Sequence, residues 1–311
     1  MAKLIILCGL PGSGKSWYAE QLWASEATFT EPNNIVIHSS DALRKELFGD
    51  PSSQENNALV FETMHKRVKD DLKAGKTVIY DATNVTRKAR RGAINLASKD
   101  DTVECHIVWA PIQTCITRDA ERERHVGKEV IDKMVRRWQS PHKSEGFTYI
   151  DVICSDKDFN QAEYLVRCTT QMQIPHDSPH HTLGVWEHCI QAYRNIEQCA
   201  GRPLNADLKA AALWHDIGKP YTKGYKLDKE TGKIDYSHAH YYDHHCVGGY
   251  MAYGLFLHKG FDEEDVDFMC WVSWLINNHM EPFFNSHYYR DLPEHLKQPI
   301  DILHAADLSA H

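Results

Sequence analysis

The 311-residue chain predicts two folds in series: an N-terminal α/β unit with a parallel sheet flanked by helices, then an all-α helical bundle. Three observations predict this. The run Lys3 to Cys8 leads directly into GLPGSGKS, residues 9–16. Short apolar runs then alternate with helix-like stretches to about residue 155, the pattern of a parallel sheet covered on both faces. Beyond that point the pattern turns helical, and fifteen of the twenty histidines follow residue 156. The length suits two domains of ordinary size. We place the boundaries at 1–155 and 176–311, with 156–175 as a connecting segment.

GLPGSGKS fits G-x-x-x-x-G-K-[ST], a loop that cradles phosphates when it joins a strand to a helix. Gly9, Gly12 and Gly14 let the backbone curl until several N–H groups, Ser13 among their neighbours, face one anion. The helix that follows adds its positive end. Lys15 then reaches the β- and γ-phosphates, and the Ser16 hydroxyl holds Mg²⁺. The cofactor is therefore ATP with Mg²⁺.

The remaining strands fall at Ile35–His38, Thr77–Tyr80, Glu104–Trp109 and Tyr149–Ile153. In such sheets ligands collect at the carboxyl ends of the strands. After the second strand come Asp41 and Arg44, three apart at a helix start and so able to face one cleft. After the third come Asp81, Thr83 and Asn84, placed to orient the metal or a phosphate-side partner. A basic stretch, Arg87, Lys88, Arg90 and Arg91, follows as a second candidate for polyanion contact. After the fourth strand Arg118 and Arg122 lie one turn apart, with Arg124 close by. Arginines there stabilise charge on the transferred phosphoryl group, and Arg122 is our choice for that contact.

The ordered set GLPGSGKS, Asp41-x-x-Arg44, Asp81-x-Thr83-Asn84 and Arg118-x-x-x-Arg122 resembles the 5′-hydroxyl polynucleotide kinases of phage and bacterial nucleic-acid repair. The resemblance covers about residues 1–155. It implies that Asp41 is the general base for the 5′-OH, that Arg44 grips the neighbouring substrate phosphate, and that Arg122 contacts the ATP phosphates. The residues agree, since a hydroxyl nucleophile needs a nearby carboxylate and a flanking phosphate needs a cation.

The second half is acidic. Residues 1–155 carry 22 Lys/Arg and 21 Asp/Glu, whereas residues 156–311 carry 13 and 22. His188, His215 with Asp216, His244, His279 and Asp307 are separated by 26, 27, 34 and 27 residues. One ligand on each of several packed helices would produce such gaps and bring all six to one core. Imidazole with carboxylate suits Mn, Fe, Ni, Co or Zn. His180, His181, His258, His287, His295, His304 and His311 read as ordinary core or surface residues. His238, His240 and His245 stay open, and His240 becomes a neighbouring ligand if one helix carries it with His244.

The motifs VWEHC, LWHDIGKP, DHHCVGG, NNHM and HAADL resemble the HD superfamily of phosphohydrolases over roughly residues 175–311. The resemblance implies one or two divalent metals: His188, His215, Asp216 and Asp307 hold the first, and His244 and His279 hold a second with Asp216 bridging. It also implies that Lys219 binds the scissile phosphate. Joined, the halves resemble fused end-healing enzymes and imply RNA or DNA ends as substrate with a ligase downstream. The alternative is a small-molecule or nucleoside kinase fused to an HD nucleotidase. Nine cysteines without a C-x-x-C pair suit a reducing, cytoplasmic setting, and no run suggests a membrane span or a secretory signal. A homo-oligomer stays open.

Overall fold

The computed structural model describes residues 1–26, 34–50, 56–123, 125–177, 182–227 and 232–310. Arg124, His180, His181 and His311 lie outside them. The chain divides into two compact units. The first comprises Met1–Met134 and Pro141–Asp158; the second comprises Val135–Ser140 and Phe159–His311.

The first unit contains β1 (Lys3–Cys8), α1 (Lys15–Glu26), β2 (Ile35–Ser39), α2 (Ser40–Phe48), α3 (Asn57–Lys73), β3 (Thr77–Asp81), α4 (Arg87–Ile94), β4 (Thr102–Trp109), α5 (Ile112–Ala120), α6 (Lys128–Val135, its last residue in the second unit) and β5 (Tyr149–Cys154). The strands form one parallel sheet in the order β2-β3-β1-β4-β5. Central β1 is apolar on both sides because both its faces are covered. On one face Ile5, Leu7, Ile35 and Ile79 pack with Ala19 of α1. The order turns about β1, so the loop leaving its carboxyl end opens into the ligand crevice.

The second unit contains α7 (Gln161–Met172), α8 (Val185–Ala200), α9 (Ala206–Trp214), α10 (Lys219–Thr222), β6 (Gly224–Leu227), β7 (Ile234–His240), α11 (His244–Phe256), α12 (Glu263–Asn278), α13 (Glu281–Phe284), α14 (His287–Arg290) and α15 (Glu294–Leu308). It is helical, with one antiparallel hairpin, β6–β7, that the all-α expectation did not include. Helix α11 is buried almost all round and packs along α12. Gly218, in the turn entering α10, permits a close approach: a Cβ there would lie 2.1 Å from the His244 carbonyl oxygen.

Two stretches depart from the expected ranges. Val135–Ser140 belongs to the second unit because Trp138 is fully buried there, edge-on to Tyr250 and Tyr253. Ser140 bonds Ser273, and Asn277 bonds the backbone of both Trp138 and Ser140. The range 156–175 holds α7, whose Tyr164 hydroxyl donates to the Met251 carbonyl at 3.1 Å and whose Gln161 donates to that of Leu255 at 2.7 Å. No helix among the described residues is long and apolar enough to cross a membrane.

Candidate active sites

In the first unit the loop from Gly9 to Gly14 turns sharply between β1 and α1. Gly12 has φ +78°, and a Cβ there would strike the Cys115 carbonyl oxygen at 2.2 Å, so only glycine fits. The Gly9 N–H donates to the Thr83 carbonyl at 3.0 Å, which ties the loop to the end of β3. Lys15 folds its ammonium onto the loop, donating to the Leu10 carbonyl at 2.7 Å. Burial lowers its pKa from the usual lysine value, with Asp81 opposing that shift. Ser16 Oγ donates to Asp81 Oδ2 at 3.0 Å. A hydroxyl and a carboxylate joined this way, beside a phosphate loop, suit a hard cation with oxygen ligands.

Lys15, Ser16, Asp41, Arg44, Asp81, Thr83 and Arg122 all line one cleft of about 190 Å³, together with Phe61 and Asp119. Arg44 is buried and held at both ends. Its Nη1 donates to Asp41 Oδ1 at 2.9 Å and its Nη2 to Asn57 Oδ1 at 3.0 Å, while its buried Nε has no hydrogen-bond partner among the described residues. A buried guanidinium with an unmatched N–H suits an anion.

Arg122 stands exposed on the turn after α5. The buried Asp119 carboxylate shapes that turn by accepting the N–H groups of Val126 and Gly127. Arg118 instead clamps Ser155, donating to its Oγ at 3.1 Å and its carbonyl at 3.2 Å; Ser155 Oγ in turn donates to the Ser13 carbonyl. Asn84 is buried with φ +48°, and its side-chain amide donates to the Leu7 carbonyl at 2.7 Å, which joins β3 to β1 and keeps it out of the cleft lining. Arg90, read as part of a basic stretch, is fully buried in a bidentate pair with Glu145 at 2.7 and 2.8 Å.

The second unit brings its six expected residues together. His188 comes from α8, His215 and Asp216 from the end of α9, His244 from the start of α11, His279 from the end of α12, and Asp307 from α15. Ligand atoms of His188, His215 and Asp216 lie within 4.8 Å of one another, as do those of Asp216, His244 and His279. Asp307 Oδ1 is 2.8 Å from His188 Nε2 and 3.4 Å from His215 Nε2.

The four imidazoles share one arrangement. Each directs Nδ1 at a backbone carbonyl: His188 at Ala310, His215 at Ala212, His244 at Tyr241 and His279 at Ile276, all between 2.7 and 2.9 Å. A carbonyl only accepts, so each Nδ1 carries a proton and each ring turns its Nε2 inward, that of His188 onto the Asp307 carboxylate at 2.8 Å. His244 Nε2 and His279 Nε2 face each other at 3.2 Å, and the buried His215 Nε2, without a hydrogen-bond partner of good geometry among the described residues, lies 3.3 Å from Asp216 Oδ2. Inward-facing imidazole nitrogens and carboxylates this close could hold a metal ion, and outer hydrogen bonds of this kind orient metal-ligating histidines in proteins.

Electrostatics divide the set: burial would lower the His215 pKa, but Asp216, Cys189 and Asp307 outweigh it and raise it well above the usual imidazole value. Burial would raise the Asp216 pKa, but Lys219 and His215 outweigh it and hold the carboxyl well below the usual range. Burial, then His244 and His215, press His279 well below the usual imidazole value, which keeps it neutral.

Lys219 Nζ sits 2.7 Å from Asp216 Oδ2. His240 belongs to β7, stacked on Tyr242, and the helix begins only at His244, so the expected shared face does not form. His245 packs on Phe284, and burial lowers its pKa to about 3. His238 is exposed and pairs with Asp235. Sequence reasoning missed Asn57, Asp119 and His176: Asn57 meets Arg44 and His176 meets Lys219 from other elements, and Asp119 accepts backbone N–H groups seven and eight residues on, which no side-chain pattern marks.

Residues 4–141 match the family model described as an AAA domain, and residues 180–307 match that described as an HD domain. The chain is 30% identical over 143 residues to the L-seryl-tRNA(Sec) kinase of Methanococcus maripaludis, covering 44% of this chain and 53% of that protein. It is 26% identical over 167 residues to the transcription factor bHLH140 of Arabidopsis thaliana, covering 51% of this chain and 17% of that protein. The chain therefore spans at most about half the length of these curated relatives. A chain from the structure of the Pnkp1/Rnl/Hen1 RNA repair complex aligns with a TM-score of 0.40 and 23% identity, over 51% of each chain.

Proposed function

We propose that this chain, which joins an AAA-type P-loop kinase domain to an HD domain, heals RNA ends. The first unit would phosphorylate a 5′-hydroxyl with ATP. The second would remove a 2′,3′-cyclic phosphate or 3′-phosphate, leaving ends for a ligase. The observation that carries the reading is the Asp41–Arg44–Asn57 arrangement in the cleft of Lys15 and Ser16. It offers a carboxylate for a hydroxyl proton beside a buried cation for a flanking phosphate. A polyol or free nucleoside carries no phosphate there, so the buried guanidinium favours a polynucleotide acceptor. The similarity to a kinase acting on seryl-tRNA supports a hydroxyl acceptor attached to RNA.

The geometry supports these roles. Asp41 accepts the proton of the attacking hydroxyl, Arg44 orients the acceptor, and Lys15 and Arg122 stabilise charge on the transferred phosphoryl group. Ser16 and Asp81 would hold Mg²⁺. In the second unit the six ligands would hold one or two divalent transition metals, which supply an activated water and charge stabilisation when bound. Lys219 would bind the scissile phosphate.

The test is mass spectrometry of a short RNA bearing 5′-OH and 2′,3′-cyclic phosphate ends, incubated with ATP, Mg²⁺ and Mn²⁺. Gain of a 5′-phosphate and loss of the cyclic phosphate support the reading. Asp41→Asn should remove the first change, with ATP binding retained. An unchanged oligonucleotide, with turnover of nucleosides or small phosphoesters, would replace end healing with the small-molecule alternative.

A further inference from the structure

His176 is a buried histidine, 2% exposed, that none of the roles above uses. It lies between α7 and α8, apart from the helices that carry the six ligands. Its loop is pinned by a backbone bridge between Pro175 and Gly184 and by the Val185 N–H donating to the Ile174 carbonyl at 2.9 Å. The ring is fixed as well. Nδ1 faces the Leu183 carbonyl at 2.7 Å, so Nδ1 carries the proton and Nε2 presents a lone pair. The Tyr241 hydroxyl donates to the His176 carbonyl, and the rings of Tyr241 and His188 stand edge-on to the imidazole.

That lone pair faces Lys219 Nζ at 3.1 Å. The ammonium also meets Asp216 Oδ2 at 2.7 Å, and it lies 5.4 Å from the centre of the Tyr241 ring. The direct separation of His176 Nε2 from Asp216 Oδ2 is 4.0 Å, longer than either contact to Lys219. The ammonium thus occupies the space between imidazole and carboxylate, where a metal bound by His176 would have to displace it. An ammonium has three N–H donors in a fixed tripod. Two are directed by Asp216 and His176, and together they set where the third points.

We propose that His176 is a positioning residue of the second site. Its Nε2 holds the Lys219 ammonium at the edge of the histidine–carboxylate cluster, oriented so that the remaining N–H meets an oxygen of a bound phosphate group. The inference rests on the phosphohydrolase reading of this unit. It adds that the anion subsite is built from outside the metal-binding helices, by the loop before α8.

The test uses the full chain loaded with Mn²⁺, with inorganic phosphate as the probe. Metal per chain is measured by mass spectrometry and phosphate affinity by calorimetry, for the parent, His176→Ala, His176→Gln, Lys219→Ala and the His176→Ala/Lys219→Ala double variant. Metal content should stay at the parent value in both His176 variants. Phosphate affinity should fall about tenfold in His176→Ala, the scale of a lost hydrogen bond to a charged group. His176→Gln should recover most of it, since its Oε1 reaches the place of Nε2. The double variant should bind phosphate no more weakly than Lys219→Ala alone.

Loss of metal in His176→Ala would make His176 a ligand and overturn the proposal. So would a full further loss in the Lys219→Ala background, or phosphate affinity unchanged in His176→Ala. These readouts need no RNA. A parent chain that binds phosphate but leaves cyclic ends intact therefore removes the end-healing reading alone.

Discussion

Arg44 illustrates how each site is decided by partners far apart in sequence. Its pairing with Asp41 was legible, because three residues at a helix start share a face. Its second partner, Asn57, begins a different helix, and no spacing could have announced it. Asn57→Ala leaves one end of the guanidinium unheld. The KM for the acceptor should rise about tenfold, the scale of a hydrogen bond to a charged group, while the KM for ATP stays constant in steady-state assays. Asn84 shows the opposite error, since a polar residue beside Asp81 suggested substrate contact but its amide serves the backbone of β1. Among the proposed metal ligands Asp216 is the shared one, with Oδ1 near His244 and Oδ2 near His215. Asp216→Ala should therefore release all bound transition metal, whereas His279→Ala should leave the His188, His215 and Asp307 side able to hold one ion. Metal analysis after dialysis distinguishes them, and equal loss in both variants would contradict a shared ligand.

At the scale of elements, the strands and the main helices were legible because burial on both faces and helical periodicity leave strong patterns. The hairpin β6–β7 was not. Its strands are largely exposed and short of β-branched residues, so they lack the alternation that marks a half-buried strand. Long-range pairs between elements were equally hidden. Asp71 on α3 accepts Lys76 Nζ at 2.7 Å and meets His38 of β2 at 2.8 Å. Burial would raise its pKa, but Lys76 and then His38 outweigh it and lower it. A depressed carboxyl stabilises the fold above its unfolded value and loses that contribution as pH falls through the folded one. Asp71→Asn should thus cost about 1 kcal/mol at pH 7. In denaturant titrations the gap from the parent should close as pH drops below about 4. A gap that persists under acid would assign the loss to packing.

For the whole molecule, the division into a phosphate-loop fold and a histidine-rich helical fold was legible in composition, since charge and histidine content change along the chain. What composition does not reveal is how such an acidic protein would engage the proposed polyanion. With a net charge of −8, broad electrostatic attraction is unfavourable, and binding has to rest on a few cations such as Arg44 and Lys15. The slope of log affinity against log salt for a single-stranded end should therefore be shallow, about −1.4 for two phosphate contacts. A slope several times steeper would indicate an extended basic track.

The six-residue stretch Val135–Ser140 gives the gene an awkward seam. A fragment that stops at residue 155 would present Trp138 to water, and one that starts at 156 would lack the ring that fills its interior, a loss of about 3–5 kcal/mol if it behaves like Trp138→Ala. Chimeras that swap the N-terminal half for another kinase would inherit the same debt unless they carry those six residues with them. A join at residue 155 is thus disfavoured, because it parts Trp138 from the helical unit in which it is buried.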